Sequence, residues 1–129
     1  MTITADVGPS VVVWGDTGWL ERLLLNLLDN AIKFTLDCGR IVVRIRRDQE
    51  HAILEVEDSG VGIAAEALPH VFERFYRADP ARSSGTEGVG LGLSLVKWIA
   101  DRHGASLGVE SEPGRGSRFT VRLPTLNDN

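Results

Sequence analysis

Between Leu20 and Phe34, apolar residues recur at positions 20, 24, 27, 31 and 34, the spacing of an α-helix. Winding at roughly 100° per residue gathers Leu20, Leu23, Leu24, Leu27, Leu28, Ala31 and Phe34 into one broad face, which Leu25 and Ile32 extend. The polar remainder is a thin strip of Arg22, Asn26, Asp29, Asn30 and Lys33. Within it Asn26, Asn30 and Lys33 stand at i, i+4 and i+7, stacked along one line. Asn is a mediocre helix former, and a buried amide needs a partner. Two Asn in register beside a Lys therefore suggest a polar pocket wall. An ordinary amphipathic helix with a narrow wet face accounts for the same pattern.

The flanking pattern predicts strands. Thr2 to Val7 alternates in part, Gly8-Pro9-Ser10 turns the chain, and Val11 to Trp14 reads as a second short strand. Asp16 or Thr17 is the expected N-cap of the long helix, and Asp37-Cys38-Gly39 ends the helical region. Arg40 to Arg47 puts Ile41, Val43 and Ile45 on one face and Arg40, Arg44 and Arg46 on the other. After a turn at 48–50, His51 to Asp58 returns as the second strand of a hairpin. Its row Ala52, Leu54, Val56 runs into Asp58 on the same face, and a carboxylate there must find a donor. Gly60 and Gly62 follow at once and permit close backbone approach; an Asx turn leaving a strand reads the same way.

Ala64 to Leu68 predicts a short helix stopped near Pro69. Val71-Phe72-Glu73-Arg74-Phe75-Tyr76-Arg77 packs aromatics between charges, and 78–86 reads as a mobile loop. Glu87-Gly88-Val89-Gly90-Leu91-Gly92-Leu93 leads into a helix to about His103, with Leu95, Val96, Ile99 and Ala100 inward and Gly104 as its stop. Ser106 to Glu112 and Ser117 to Leu123 form a last hairpin through Pro113-Gly114-Arg115-Gly116, with Phe119, Val121 and Leu123 inward. The tail 124–129 is expected to fray. This order is not βαβαβ. It predicts an α+β two-layer sandwich: a mixed, mostly antiparallel sheet of about five strands with three main helices on one face.

Composition narrows the function classes. A chain of 129 residues makes one domain, 1–129, not two. A net charge of −4 argues against a general nucleic-acid surface while leaving room for a local cationic site. The single Cys38 excludes an intramolecular disulfide, fits a reducing compartment and reads as a small, partly buried residue. No apolar run reaches bilayer-spanning length and no signal-peptide pattern is present, so a soluble cytoplasmic domain without direct membrane contact is expected, whether or not a longer parent is anchored.

Glycines 88, 90 and 92 at a helix start suggest an anion site. The common phosphate motifs do not fit. There is no G-x-x-x-x-G-K-[ST], the glycine run follows a loop rather than a Rossmann strand, and neither H-R-D nor D-F-G occurs.

Four features coincide in order: Asn26/Asn30/Lys33, Asp58-x-Gly60-x-Gly62, Phe72 to Arg77, and Gly88-x-Gly90-x-Gly92. With them the chain resembles the ATP-binding catalytic domain of sensor histidine kinases, in the wider gyrase/Hsp90/histidine-kinase/MutL superfamily with its Bergerat ATP-binding fold. They look like that family's N, G1, F and G2 boxes, and Gly114 to Val121 resembles its usual ending. The likeness runs from about Val11 to Pro124.

The resemblance implies an ATP site with Mg²⁺. Asn30 would ligate the metal through its amide oxygen, a hard donor for a hard ion, with Asn26 holding the same ion or its waters. Lys33 would meet a phosphate as a point charge, and Phe34 would flank the adenine. Asp58 would accept from the adenine amine, with Gly60 and Gly62 letting base and sugar approach and Ile63 beside them. Arg77, with Arg74 as a second candidate, would neutralise terminal phosphate charge. Phe72 and Phe75, the run Gly88, Val89, Gly90, Leu91, Gly92 and Leu93, and Thr120 complete the implied ATP-binding set. The lid would span about 77–90 and close over ATP. Asn26, Asn30, Lys33 and Arg77 would serve transfer of the γ-phosphoryl group to a histidine, a reaction resting on positioning and charge neutralisation.

The acceptor histidine of such kinases sits in a helical dimerisation domain, and none of His51, His70 or His103 has its sequence setting. The expected partners are therefore ATP, that helical domain and, indirectly, a response regulator, with the chain inactive alone. Glu87 departs from the family pattern, where small or hydroxyl residues are common. An anti-sigma-factor type serine kinase of the same ATP fold, or a non-catalytic ATP-binding docking module, are the alternatives.

Overall fold

The computed structural model describes residues 1–8, 13–35, 38–73 and 92–125. Strand β1 (Thr2–Val7) is followed by helix α1 (Thr17–Phe34), strands β2 (Arg40–Asp48) and β3 (His51–Asp58), helix α2 (Gly92–Arg102), and strands β4 (Ser106–Glu112) and β5 (Gly116–Pro124). The five strands form one sheet in the order β1-β2-β3-β5-β4. β1 runs parallel to β2, and every other neighbouring pair is antiparallel. The mixed, mostly antiparallel sheet is the one expected.

The helix count differs. Among the described residues there are two α-helices; the stretch expected as a third is a series of turns closing in a 3-10 turn at Leu68–His70. Pro69 explains this, because the residue before a proline is pushed out of the α region and so short a segment cannot offset its nucleation cost. Of the strand expected at Val11–Trp14, Val13 bridges to Thr125, and Val11 and Val12 lie outside the described residues.

Register explains how the sheet builds its core. Three rows cross β2, β3, β5 and β4 on the face toward the helices. Two are apolar: Ile45, Leu54, Val121, Leu107, then Val43, Val56, Phe119, Val109. The third, at the sheet's end, is Ile41, Asp58, Ser117, Ser111. Onto the apolar rows α1 sets Leu23, Leu27 and Ala31, and α2 sets Val96, Ile99 and Ala100, all buried. Truncating such a side chain costs about 2–5 kcal/mol where the site cannot collapse. The buried stripe of α1 is narrower than its pattern suggested, since Leu25 and Ile32 are exposed; so is Cys38, expected to be partly buried. The outer sheet face carries an ionic lattice instead, with Arg44 paired to Glu57, Arg46 to Glu55 and Arg118 to Glu110.

The two helices run antiparallel. Asp16 caps α1, its carboxylate accepting from the Trp19 N–H at 3.0 Å. At the same end the Asp16 N–H donates to His103 Nε2 at 3.0 Å, while His103 Nδ1 lies 2.8 Å from the Ile99 carbonyl. These two partners fix the tautomer with the proton on Nδ1. Gly104, at φ 67°, ends α2 in a left-handed turn, with the Ala105 N–H donating to the Ala100 carbonyl at 2.9 Å. Further along, Trp19 meets Trp98 edge to face at 5.1 Å. At the far end Asn26 reaches the first residue of α2.

Candidate functional site

The third row of the sheet sits beyond the last apolar row and holds two buried polar side chains, Asp58 and Ser117. Asp58 is only 6% exposed. Its Oδ1 accepts from the Gly60 N–H at 2.9 Å, and the Ser117 N–H also points at the carboxylate. Burial pushes its pKa above the usual carboxylate range, the two N–H groups pull it partly back, and nearby Glu57 adds a smaller upward push. A buried carboxylate held by backbone donors, with no basic partner among the described residues, keeps acceptor capacity for a further donor.

Gly60 and Gly62 have a structural reason of their own. A Cβ on Gly60 would lie 2.1 Å from the Phe34 carbonyl oxygen, which accepts from the Val61 N–H at 3.0 Å. Gly62, at φ 77°, presses against the Glu112 carbonyl. The segment leaving β3 is thus wedged between the end of α1 and the turn joining β4 to β5, and only glycine allows backbone to touch backbone there. The sequence suggested approach by a base and sugar; these two glycines approach the protein's own chain. Gly116 does the same against the Asp58 carbonyl.

On α1, Asn26 Nδ2 donates to the Gly92 carbonyl at 3.2 Å. With the amide nitrogen so held, Oδ1 is left as the free acceptor end of the side chain. Asn30 is half-buried one turn on, and its amide has no hydrogen bond to any other described residue. Lys33 lies in the last turn, where a cation suits the helix dipole. Phe34, half-buried, ends the helix beside Gly60. Through Phe34 the C-terminal end of α1, which carries Lys33, therefore abuts the segment leaving β3 just past Asp58.

Other expected residues have packing roles. Phe72 packs edge to face on Phe119 at 6.0 Å, so it anchors the segment to the core. Ile63 and Leu93 also pack against the core as partly buried side chains, and the Ile63 N–H donates to Ser111 Oγ at 2.7 Å. Gly92 begins α2, and nothing lies near the Cβ it lacks. Thr120 belongs elsewhere: strand parity places it on the outer sheet face, opposite Glu55 and Gly108, with the sheet between it and Asp58. Arg74, Phe75, Arg77, Gly88, Val89, Gly90 and Leu91 lie outside the described residues. Of the histidines, His70 pairs with Glu73 at 2.7 Å and His103 staples the helices.

Ser117 and Ser111 were missed. The signal was present: continuing the inward row Leu123, Val121, Phe119 by one step reaches Ser117, opposite Asp58 only once the register is known.

A family model described as "Histidine kinase-, DNA gyrase B-, and HSP90-like ATPase" matches residues 15–127. The chain belongs to this ATPase family. Among curated relatives, it is 45% identical over 117 residues to the sensor histidine kinase RppB of Synechocystis, covering 91% of this chain and 26% of RppB. It is 44% identical over 121 residues to the phosphate regulon sensor protein PhoR of Pseudomonas aeruginosa, covering 94% of the chain and 27% of PhoR. Among solved structures, the mycobacterial sensor histidine kinase MprB superposes with a TM-score of 0.84 at 37% identity, over 96% of this chain and 83% of that one. Full-length ShkA in complex with AMPPNP gives 0.83 at 31% identity, over 98% and 26%. This ATPase domain thus has the Bergerat fold of sensor histidine kinases, and it spans about a quarter of the length of the curated relatives it matches.

Proposed function

We propose that this domain binds Mg·ATP and donates the γ-phosphoryl group to a histidine on a helical dimerisation domain, feeding a response regulator in two-component signalling. The carrying observation is Asp58: a buried carboxylate at the end of a core row, held by backbone N–H groups and with no basic partner among the described residues. Its remaining acceptor capacity suits the exocyclic amine of adenine. The AMPPNP complex of the similar ShkA lends support, since that ligand is an ATP analogue.

The donor set fits Mg²⁺. No group of three or more His, Cys, Asp or Glu able to hold a metal occurs among the described residues. Mg²⁺ bound with phosphates asks little of the protein, one or two hard oxygens with water and phosphate supplying the rest. Asn30 would offer its amide oxygen, and Asn26, pinned by Gly92, would turn Oδ1 the same way. When bound, the metal offsets triphosphate charge. Lys33 and Arg77 would neutralise the phosphates, Arg74 being a second candidate, and the segment 77–90 would close as a lid. With the nucleotide so oriented, in-line attack by an imidazole nitrogen needs no covalent help from this domain. Residues 1–129 would form one cytoplasmic domain, joined in a longer protein to the acceptor domain.

The test is label transfer from γ-labelled ATP to a cognate histidine-bearing helical domain. Acid-labile label on that domain is expected. Acid-stable label would favour the serine-kinase reading, and ATP binding without transfer would favour a docking module.

A further inference from the structure

Ser111 is the hub of a small hydroxyl network behind Asp58. Three polar atoms surround its Oγ: the Ile63 N–H at 2.7 Å, the Gly116 carbonyl at 2.9 Å and Ser117 Oγ at 2.8 Å. A hydroxyl has one proton to give and two lone pairs to receive. The Ile63 N–H can only donate, and the Gly116 carbonyl can only accept. Ser111 therefore spends its proton on Gly116, and the slot left for Ser117 is an accepting one. Ser117 must then donate to Ser111.

Ser117 stands directly opposite Asp58 in the register, 8% exposed, with its N–H on the carboxylate. With its proton committed to Ser111, the Ser117 hydroxyl offers only lone pairs. Asp58, when ionised, offers only lone pairs too. The polar end of the row is acceptor-only because Ser111 makes it so.

We propose that Ser111 is a positioning residue that sets purine specificity: by consuming the Ser117 proton it keeps the Asp58–Ser117 pair acceptor-only, which admits a 6-amino purine and rejects a 6-keto one. This rests on the adenine reading of Asp58. Without Ser111, the Ser117 hydroxyl is free to rotate and donate to a keto oxygen. Buried polar mismatch gives larger discrimination than apolar shape does, so the effect is measurable.

The test is calorimetric titration of the whole chain with ATP and with ITP, which differ at the purine 6-position, in Mg²⁺ buffer. The wild type is expected to favour ATP by at least about tenfold. In Ser111→Ala the anchoring of Ile63 is lost as well, so both affinities fall, but the ATP:ITP ratio narrows by about tenfold. Ser111→Thr, which keeps the hydroxyl, restores the ratio. Equal losses for both nucleotides with an unchanged ratio would overturn the proposal and leave Ser111 a purely structural brace. If Ser111→Ala does not fold, Ser111→Cys decides: its thiol is a weak acceptor that releases the Ser117 proton, so a ratio like wild type's overturns the idea. Failure of the wild type to bind either nucleotide would instead refute the adenine reading itself.

Discussion

Replacing Asp58 by Asn changes one oxygen into an NH2 group and almost nothing in volume. The native carboxylate serves the Gly60 and Ser117 N–H groups and, in the proposed complex, the adenine amine. All three are donors, so the Asn amide must turn its own donor toward one of them. The Gly60 bond, at 2.9 Å and buried, holds the remaining oxygen, which puts the NH2 group against the base or the Ser117 N–H. Losing one hydrogen bond to a charged acceptor costs about 1.5–3 kcal/mol, or about 10- to 150-fold in affinity. Calorimetry with ATP should show that loss, while tripolyphosphate, which has no base, should bind Asp58→Asn as it binds the wild type. An equal loss for both ligands, or an unchanged ATP affinity, would refute the base contact. The same pair reports on pH. The folded pKa of Asp58 is raised, chiefly by burial, so its contribution to stability is full below the unfolded pKa and disappears as pH rises through the folded value. The stability of wild type relative to Asp58→Asn should therefore decline as pH climbs from about 4, read as the difference in Tm between the two.

Gly60→Ala should destabilise the domain by about 3 kcal/mol or more, because the new Cβ meets the Phe34 carbonyl oxygen at 2.1 Å and a neighbouring backbone cannot yield as a flexible side chain would; urea denaturation measures it. Asn30→Ala should abolish Mg²⁺-dependent phosphoryl transfer to the acceptor domain while leaving the free energy of unfolding within about 1 kcal/mol of wild type, since the Asn30 amide has no hydrogen bond to another described residue; near-normal transfer would remove the metal assignment. Thr120→Val should leave ATP affinity unchanged, because that side chain lies across the sheet from Asp58; a loss above about threefold by calorimetry would contradict the register. Leu27→Ala, at a fully buried position between sheet and helices, should cost about 2–5 kcal/mol in the same urea experiment.

The sequence by itself determined the elements whose periodicity is strong and whose ends are marked by local chemistry. α1 begins at its Asp cap, α2 ends at Gly104, and both hairpins fall within a residue or two of their expected limits. These are decided by bonds between residues three to five apart, so the local string contains them. The order of the four boxes sufficed for the family, and strand parity alone put Asp58 on the core-facing row.

What only the tertiary structure decided is everything set by partners distant in the chain. The width of the buried stripe on α1 depends on how far the sheet reaches, and Leu25 and Ile32 fall outside it. Phe72 belongs to the core because Phe119 lies beneath it. The glycines after Asp58 are required by carbonyls at Phe34 and Glu112, 26 residues before Gly60 and 50 after Gly62. That Ser117 and Ser111 line up with Asp58 is settled by cross-strand register, and no local preference encodes register.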